Sequence, residues 1–147
     1  MNAERHRAGD LRSRGELAMT AVQAGNGGEA LELVRDIAAR RSPYELRDLS
    51  GLVSRWHRGA ARPTDALKDA VLLVVGCDFG MDCSADSELA LELCAFNGAC
   101  SGDLVERSLL AFPDVDRSAV NVARVALAAE LREGRFDAAR YFEPPSP

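Results

Sequence analysis

The sequence has 147 residues, of which 47% are hydrophobic, 28% charged and only 5% aromatic, and its formal net charge is −5. This length fits one domain, and an interior built mainly from Leu, Val and Ala favours packed helices over strands. The acidic balance disfavours nucleic acid as a partner, because a phosphate-binding surface is normally basic. No apolar run approaches the ~20 residues needed to cross a bilayer, so we expect no membrane insertion.

Helical spacing, caps and breakers predict an all-α fold, a single compact domain of about seven short helices. Residues 1–12 are predicted to form a mobile arm, residues 13–142 the helical domain and residues 143–147 a disordered tail. The predicted helices cover residues 13–24, 29–40, 43–57, 65–76, 86–96, 103–111 and 115–133, with a last turn in 136–142.

The clearest local signal lies at the start of the third predicted helix. Ser42 and Glu45 have the spacing of a capping box, with Pro43 at the first helical position. We expect the Ser42 hydroxyl to accept from the Glu45 amide, and removal of that hydroxyl to cost about 1 kcal/mol of stability.

Thr64 is predicted to cap the fourth helix. The second half of that helix is apolar on every side, so it is predicted to be the buried central element. The residues predicted to be best buried are Val71, Leu72, Val74 and Val75.

The second half of the chain contains a short internal repeat with a period of 17 residues. The matching pairs are Leu72 and Leu89, Cys77 and Cys94, Phe79 and Phe96, Cys83 and Cys100, Ser84 and Ser101, and Asp86 and Asp103. Each unit is predicted to be a helix ending at a cysteine, a turn, a second cysteine and a Ser or Asp cap for the next helix. Such antiparallel helix-turn-helix units with solenoid-like stacking resemble the layout of tetratricopeptide-type α-solenoids, although the consensus of that family is absent.

The four cysteines are predicted to form two local disulfides. The helix between Cys83 and Cys94 covers about 11 residues, or ~15 Å. If consecutive helices run antiparallel, Cys77 and Cys83 lie at one end of that helix, whereas Cys94 and Cys100 lie at the other. A disulfide requires Cα atoms within ~7 Å, so only these neighbouring pairs satisfy the constraint.

The cysteines have three alternative uses. Structural zinc favours C-x2-4-C, whereas both spacings here are C-x5-C. A thioredoxin-like redox pair requires C-x-x-C, which is missing. Four reduced thiols in a cytoplasmic protein are the remaining alternative. Disulfides indicate an oxidising compartment, although the N-terminus lacks the apolar segment of a secretory signal. We give the cysteines more weight and expect a periplasmic or secreted protein, with the cytoplasm as the alternative.

Catalytic and metal-binding patterns are weak. His57 closes a predicted helix, where imidazoles commonly act as C-terminal caps, and no nucleophile motif accompanies nearby Ser54. Glu88 and Glu92 share a helical face, but a solvated acidic face is the commoner interpretation of such a pair than a glycosidase site. A calcium loop beginning at Asp82 fails, because Leu93 stands where a bidentate Glu is needed. We therefore expect no cofactor and no metal.

These observations favour a non-enzymatic protein-interaction domain of a bacterial envelope or secretion context, such as an inhibitor or immunity-like partner protein. The partner is expected to be another protein with a basic surface, because acidic residues concentrate around the cysteines. The candidate partner-binding residues are Asp78, Asp82, Asp86, Glu88 and Glu92. The alternative is a small hydrolase or toxin domain that uses acidic residues near the cysteine loops, assisted by His57.

Overall fold

Helices make up the regular structure of the computed structural model, which describes residues 13–57 and 62–142. Its nine α-helices are α1 (Arg14–Gln23), α2 (Gly27–Arg40), α3 (Pro43–Asp48), α4 (Leu52–Trp56), α5 (Asp65–Val74), α6 (Glu88–Asn97), α7 (Leu104–Leu109), α8 (Arg117–Arg132) and α9 (Ala138–Phe142), and a 3₁₀ segment (Val75–Phe79) follows α5. These two ranges contain no strand, so the predicted all-α fold is confirmed. The predicted arm, 1–12, and tail, 143–147, lie outside the described residues.

The third predicted helix is two helices rather than one. The chain turns at Ser50 and Gly51, where Gly51 adopts the left-handed conformation with φ 92°. Asp69 of α5 compensates for this break, because its buried carboxylate accepts from the amides of Val53 (3.1 Å) and Ser54 (3.2 Å) at the start of α4. Burial raises the pKa of Asp69. A cap supplied from another helix has no local sequence signal, so spacing alone predicted a continuous helix.

The predicted capping box at Ser42 is wrong in its hydrogen bonds. Pro43 does start α3, but the Ser42 side chain makes no cap hydrogen bond. The Glu45 carboxylate instead accepts from the Arg14 amide at 3.0 Å and from its guanidinium, with Nε at 2.9 Å. This buried ion pair joins α1 to α3, and Asp36 holds another nitrogen of Arg14 at 3.0 Å. Thr64 likewise makes no cap hydrogen bond to α5.

The main core forms around α5, which packs on α3, α4, α7 and α8. Its apolar run is buried as predicted, with exposures of 1% or less at the four best-covered positions, Val71, Leu72, Val74 and Val75. Side chains from α1, α2, α8 and α9 complete the same cluster. None of the helices in the described ranges is long and apolar enough to span a membrane.

The second half of the chain extends this core on one side. Helix α7 contacts both α5 and α6, whereas α8 runs back along α5 and the 3₁₀ segment. Helix α6 consequently has α7 as its principal neighbour, and it is less covered than the other long helices. This position on the edge of the molecule determines which of its side chains meet solvent.

Candidate functional site

The clipped unit, residues 77–109, contains all four cysteines together with α6 and α7. It begins where the 3₁₀ segment packs against α3. A Cβ atom at Gly76 would lie 2.6 Å from the Pro43 carbonyl oxygen, so only glycine permits this close approach. The contact fixes the position of the next residue, Cys77, and hence the start of the unit.

Both predicted cysteine pairs lie at disulfide distance. The Cα atoms of Cys77 and Cys83 are 5.8 Å apart, and those of Cys94 and Cys100 are 4.4 Å apart. None of the four is a free thiol. One pair closes the loop that precedes α6, and the other joins Cys94 in the last turns of α6 to the loop that follows. Such disulfides are typical of an oxidising, extracellular environment.

The cap of α6 differs from the prediction. Ser84 and Asp86 were expected to cap it, but the Ser87 hydroxyl accepts from the Ala90 amide at 3.2 Å. Asp103 does cap α7 as predicted, accepting from the Glu106 amide at 2.9 Å. The two repeats therefore share their cysteine spacing but not their cap position.

Arg107 ties the loops of the clipped unit to its helices. This side chain is buried, and its guanidinium donates to three carbonyl oxygens: Ala90 at 2.7 Å, Gly102 at 2.8 Å and Cys100 at 3.1 Å. One arginine thus connects α6, the second cysteine loop and α7. Sequence reasoning missed this residue, whose only signal is a lone cation among acidic neighbours.

The outer face of α6 exposes two large apolar side chains to solvent. Of residues 88–97, only Ala90 is buried. Leu91 exposes 56% and Phe96 84% of their surfaces. Glu88 and Glu92, both exposed, lie on the same outer side because helical spacing places them between the two apolar residues. Helix α6 therefore presents apolar side chains beside carboxylates.

The five predicted partner-binding acids have different environments. Asp78 forms an ion pair with Arg124 at 2.8 Å, so its carboxylate is engaged within the protein, and we remove it from the candidate site. Asp82 and Asp86 are exposed in the turn before α6, as are Glu88 and Glu92 on the helix. The Ser84 amide, which donates to Asp82 at 3.0 Å, lowers the pKa of that carboxyl.

Three of these acids surround one shallow cavity. The cavity has a volume of about 410 Å³ and is lined by Asp82, Glu88 and Glu92 together with Tyr44, Ser87 and Leu89. Tyr44 lies in α3 and is 55% exposed, so an aromatic ring borders the carboxylates. Sequence reasoning did not include Tyr44, because the packing of the 3₁₀ segment on α3 brings it there.

His57, the assisting residue of the hydrolase alternative, lies in the core. His57 is 1% exposed, and its Nδ1 is 3.1 Å from a carboxylate oxygen of Asp65. Asp65 also accepts from the Arg62 amide at 2.8 Å, so its carboxylate contacts both the residue that follows α4 and a residue just before α5. The nearby Ser54 hydroxyl donates to Asp69. This arrangement connects helices and leaves the imidazole without access to a substrate.

Within residues 13–57 and 62–142, no three potential metal ligands of the His, Cys, Asp or Glu type come together. Comparisons with protein-family models, with curated proteins and with solved structures gave no significant match. Function is therefore inferred from the chemistry of the surface itself.

Proposed function

We propose that this chain is a non-enzymatic protein-interaction domain that binds a basic, amphipathic partner protein on the outer face of α6. In a bacterial envelope or secretion context, it would act as an inhibitor or immunity-like protein. The observation that carries the proposal is the exposure of Leu91 and Phe96 on a helix that follows one disulfide-closed loop and is itself tied to the next loop by Cys94.

Rigidity favours binding through this face. A helix that is ordered before association loses little conformational entropy on binding, so more of the contact free energy contributes to affinity. The Cys94–Cys100 disulfide and the Arg107 hydrogen bond to Ala90 limit the freedom of α6, and the Cys77–Cys83 disulfide limits that of the loop before it. Large aromatic side chains in the centre of an interface commonly contribute most of the binding free energy. Phe96 is the natural anchor.

The acidic side chains around α6 indicate a partner with a basic surface. Glu88 and Glu92 are exposed beside the apolar residues, and Asp82 borders the same cavity. Complementary charges steer association and exclude wrong partners. A partner helix with an apolar stripe flanked by Lys or Arg matches this surface, and one basic side chain could enter the cavity beside Tyr44. The corresponding compartment is the periplasm or the extracellular space.

The test uses the intact protein as bait in extracts of the native organism, with matched variants. The double variant Leu91→Ser/Phe96→Ser removes the proposed anchors. Val122→Ser/Val125→Ser is the control, because these α8 valines are comparably exposed at 71% and 72% but lie outside the clipped unit. A basic protein retained by the wild type and the control but bound at least about tenfold more weakly by the α6 variant supports the proposal.

Charge substitutions provide the second readout. Glu88→Gln/Glu92→Gln should weaken binding of the same partner and reduce its salt dependence, whereas Glu32→Gln/Asp114→Asn, which removes two exposed acids elsewhere, should not. Equal retention by every variant, or capture of an acidic protein, would refute this assignment of the surface.

A further inference from the structure

A second cavity lies away from the clipped unit, between the C-terminal ends of α2 and α8. Its volume is about 480 Å³, and three arginines line it: Arg35 and Arg41 from the α2 side and Arg132 from α8. Ala38 and Leu131 contribute apolar walls. This size suits a small organic molecule.

The positive charge of this cavity is poorly neutralised. Arg35 and Arg41 make no ion pair with any carboxylate among the described residues. Arg132 donates to the Asp78 carbonyl oxygen at 3.2 Å rather than to a carboxylate. The cavity contains one acid, Glu133, and that carboxylate is paired with Arg135. In a protein with a net charge of −5, this concentration of guanidinium groups requires an explanation.

The backbone of Arg41 gives an independent indication. Arg41 adopts φ 52° and ψ 41°, and it is the one non-glycine residue with positive φ in the described ranges. Glycine is the usual residue at this position after a helix, because a Cβ atom is disfavoured there. Arg40 already supplies a cation in the last turn of α2. Strained residues of this kind cluster at functional sites, and Arg41 lines the cavity.

Phe136 lines the same cavity and adds an aromatic surface. Its ring stacks on Tyr141 with centroids 5.5 Å apart, which fixes its position. We propose that this cavity binds a small organic anion in which a phosphate group is attached to an aromatic ring. The planar guanidinium forks would hold the phosphate oxygens in pairs of hydrogen bonds, and the ring would lie against Phe136.

The test titrates the oxidised, full-length protein with phenyl phosphate, inorganic phosphate and phenol at low ionic strength, monitored by NMR chemical shifts. We expect phenyl phosphate to bind more tightly than inorganic phosphate, and phenol to bind least. Arg41→Gly is the decisive variant: it relieves the left-handed strain, so the fold should be at least as stable, while phenyl phosphate should bind about tenfold more weakly. Phe136→Leu should reduce the affinity for phenyl phosphate to that for inorganic phosphate.

Arg55→Ala is the matched control, since it removes one exposed arginine outside the cavity. It should leave phenyl phosphate binding unchanged. No binding by the wild type, equal binding by Arg41→Gly, or equal weakening by Arg55→Ala would overturn the proposal and indicate that the arginines only solvate the helix ends. The site shares no residue with the α6 surface, so either proposal can fail without the other.

Discussion

The main core and the clipped unit are stabilised in different ways. The core buries apolar side chains from most of the helices, with α5 at its centre. The small cluster of the clipped unit has only three buried members, Met81, Ala90 and Leu104. Such a small cluster cannot offset the entropy of ordering the residues around it. Two disulfides, the Arg107 hydrogen bonds and the packing of Leu109 from α7 on the main core supply the remaining stabilisation.

This difference explains how α6 can expose apolar residues and still remain ordered. A helix that depended on burial for its stability would need to cover Leu91 and Phe96. A helix fixed by covalent and polar links does not, so its outer side chains are available to a partner. Four experiments separate the two kinds of stabilisation.

Replacing Val74 with Ala should give the largest loss of any single substitution. Val74 is 1% exposed in the main core, so truncation loses transfer free energy and leaves a cavity that costs about 2 kcal/mol of global unfolding free energy. Val122→Ala, the same chemical change at an exposed site, should cost less than about 0.5 kcal/mol. Chemical denaturation measures both. A neutral Val74→Ala variant with weakened self-association would instead place α5 at an interface.

Replacing Arg107 with Met should lower the stability of the clipped unit by about 1.5 kcal/mol, because three carbonyl oxygens lose a charged donor. The effect should be local, with faster amide exchange in α6 and α7 and little change in α5. Arg117→Met, at an exposed position, is the control. Uniform destabilisation of the whole molecule would mean that the two regions unfold as one.

Sequence reasoning predicted the features that depend on residues close together in the sequence, and it missed those that depend on residues far apart in the sequence. The cysteine pairs were predictable because each closes a short local loop. Glu45 was not, because Arg14 from another helix removes it from the capping box. Exposure of Phe96 depends on α8 turning back toward α5, which no local pattern in α6 specifies. Local spacing predicted Ser84 or Asp86 as the cap of α6, whereas the structure uses Ser87, one residue later than Asp86.

The smallest predicted effects concern two serines at helix starts. Ser87→Ala should cost about 1 kcal/mol within the clipped unit, because the Ala90 amide loses its acceptor. Ser42→Ala should change stability by less than about 0.3 kcal/mol, because its hydroxyl makes no cap hydrogen bond. Thermal unfolding of both variants provides the comparison. A larger loss of stability for Ser42→Ala than for Ser87→Ala would indicate that Ser42 does cap α3.

Hydrogen-exchange mass spectrometry of the oxidised and the fully reduced protein tests the difference between the two regions most directly. Each disulfide is expected to contribute about 2 kcal/mol, since both loops are short. Reduction should therefore remove protection from residues 77–109 while α5 and α8 remain protected. Two results would contradict this account: unchanged protection of α6 after reduction, or a loss of protection spread evenly through α5 and α8. Either would mean that the disulfides are not what distinguishes the stability of the clipped unit from that of the main core.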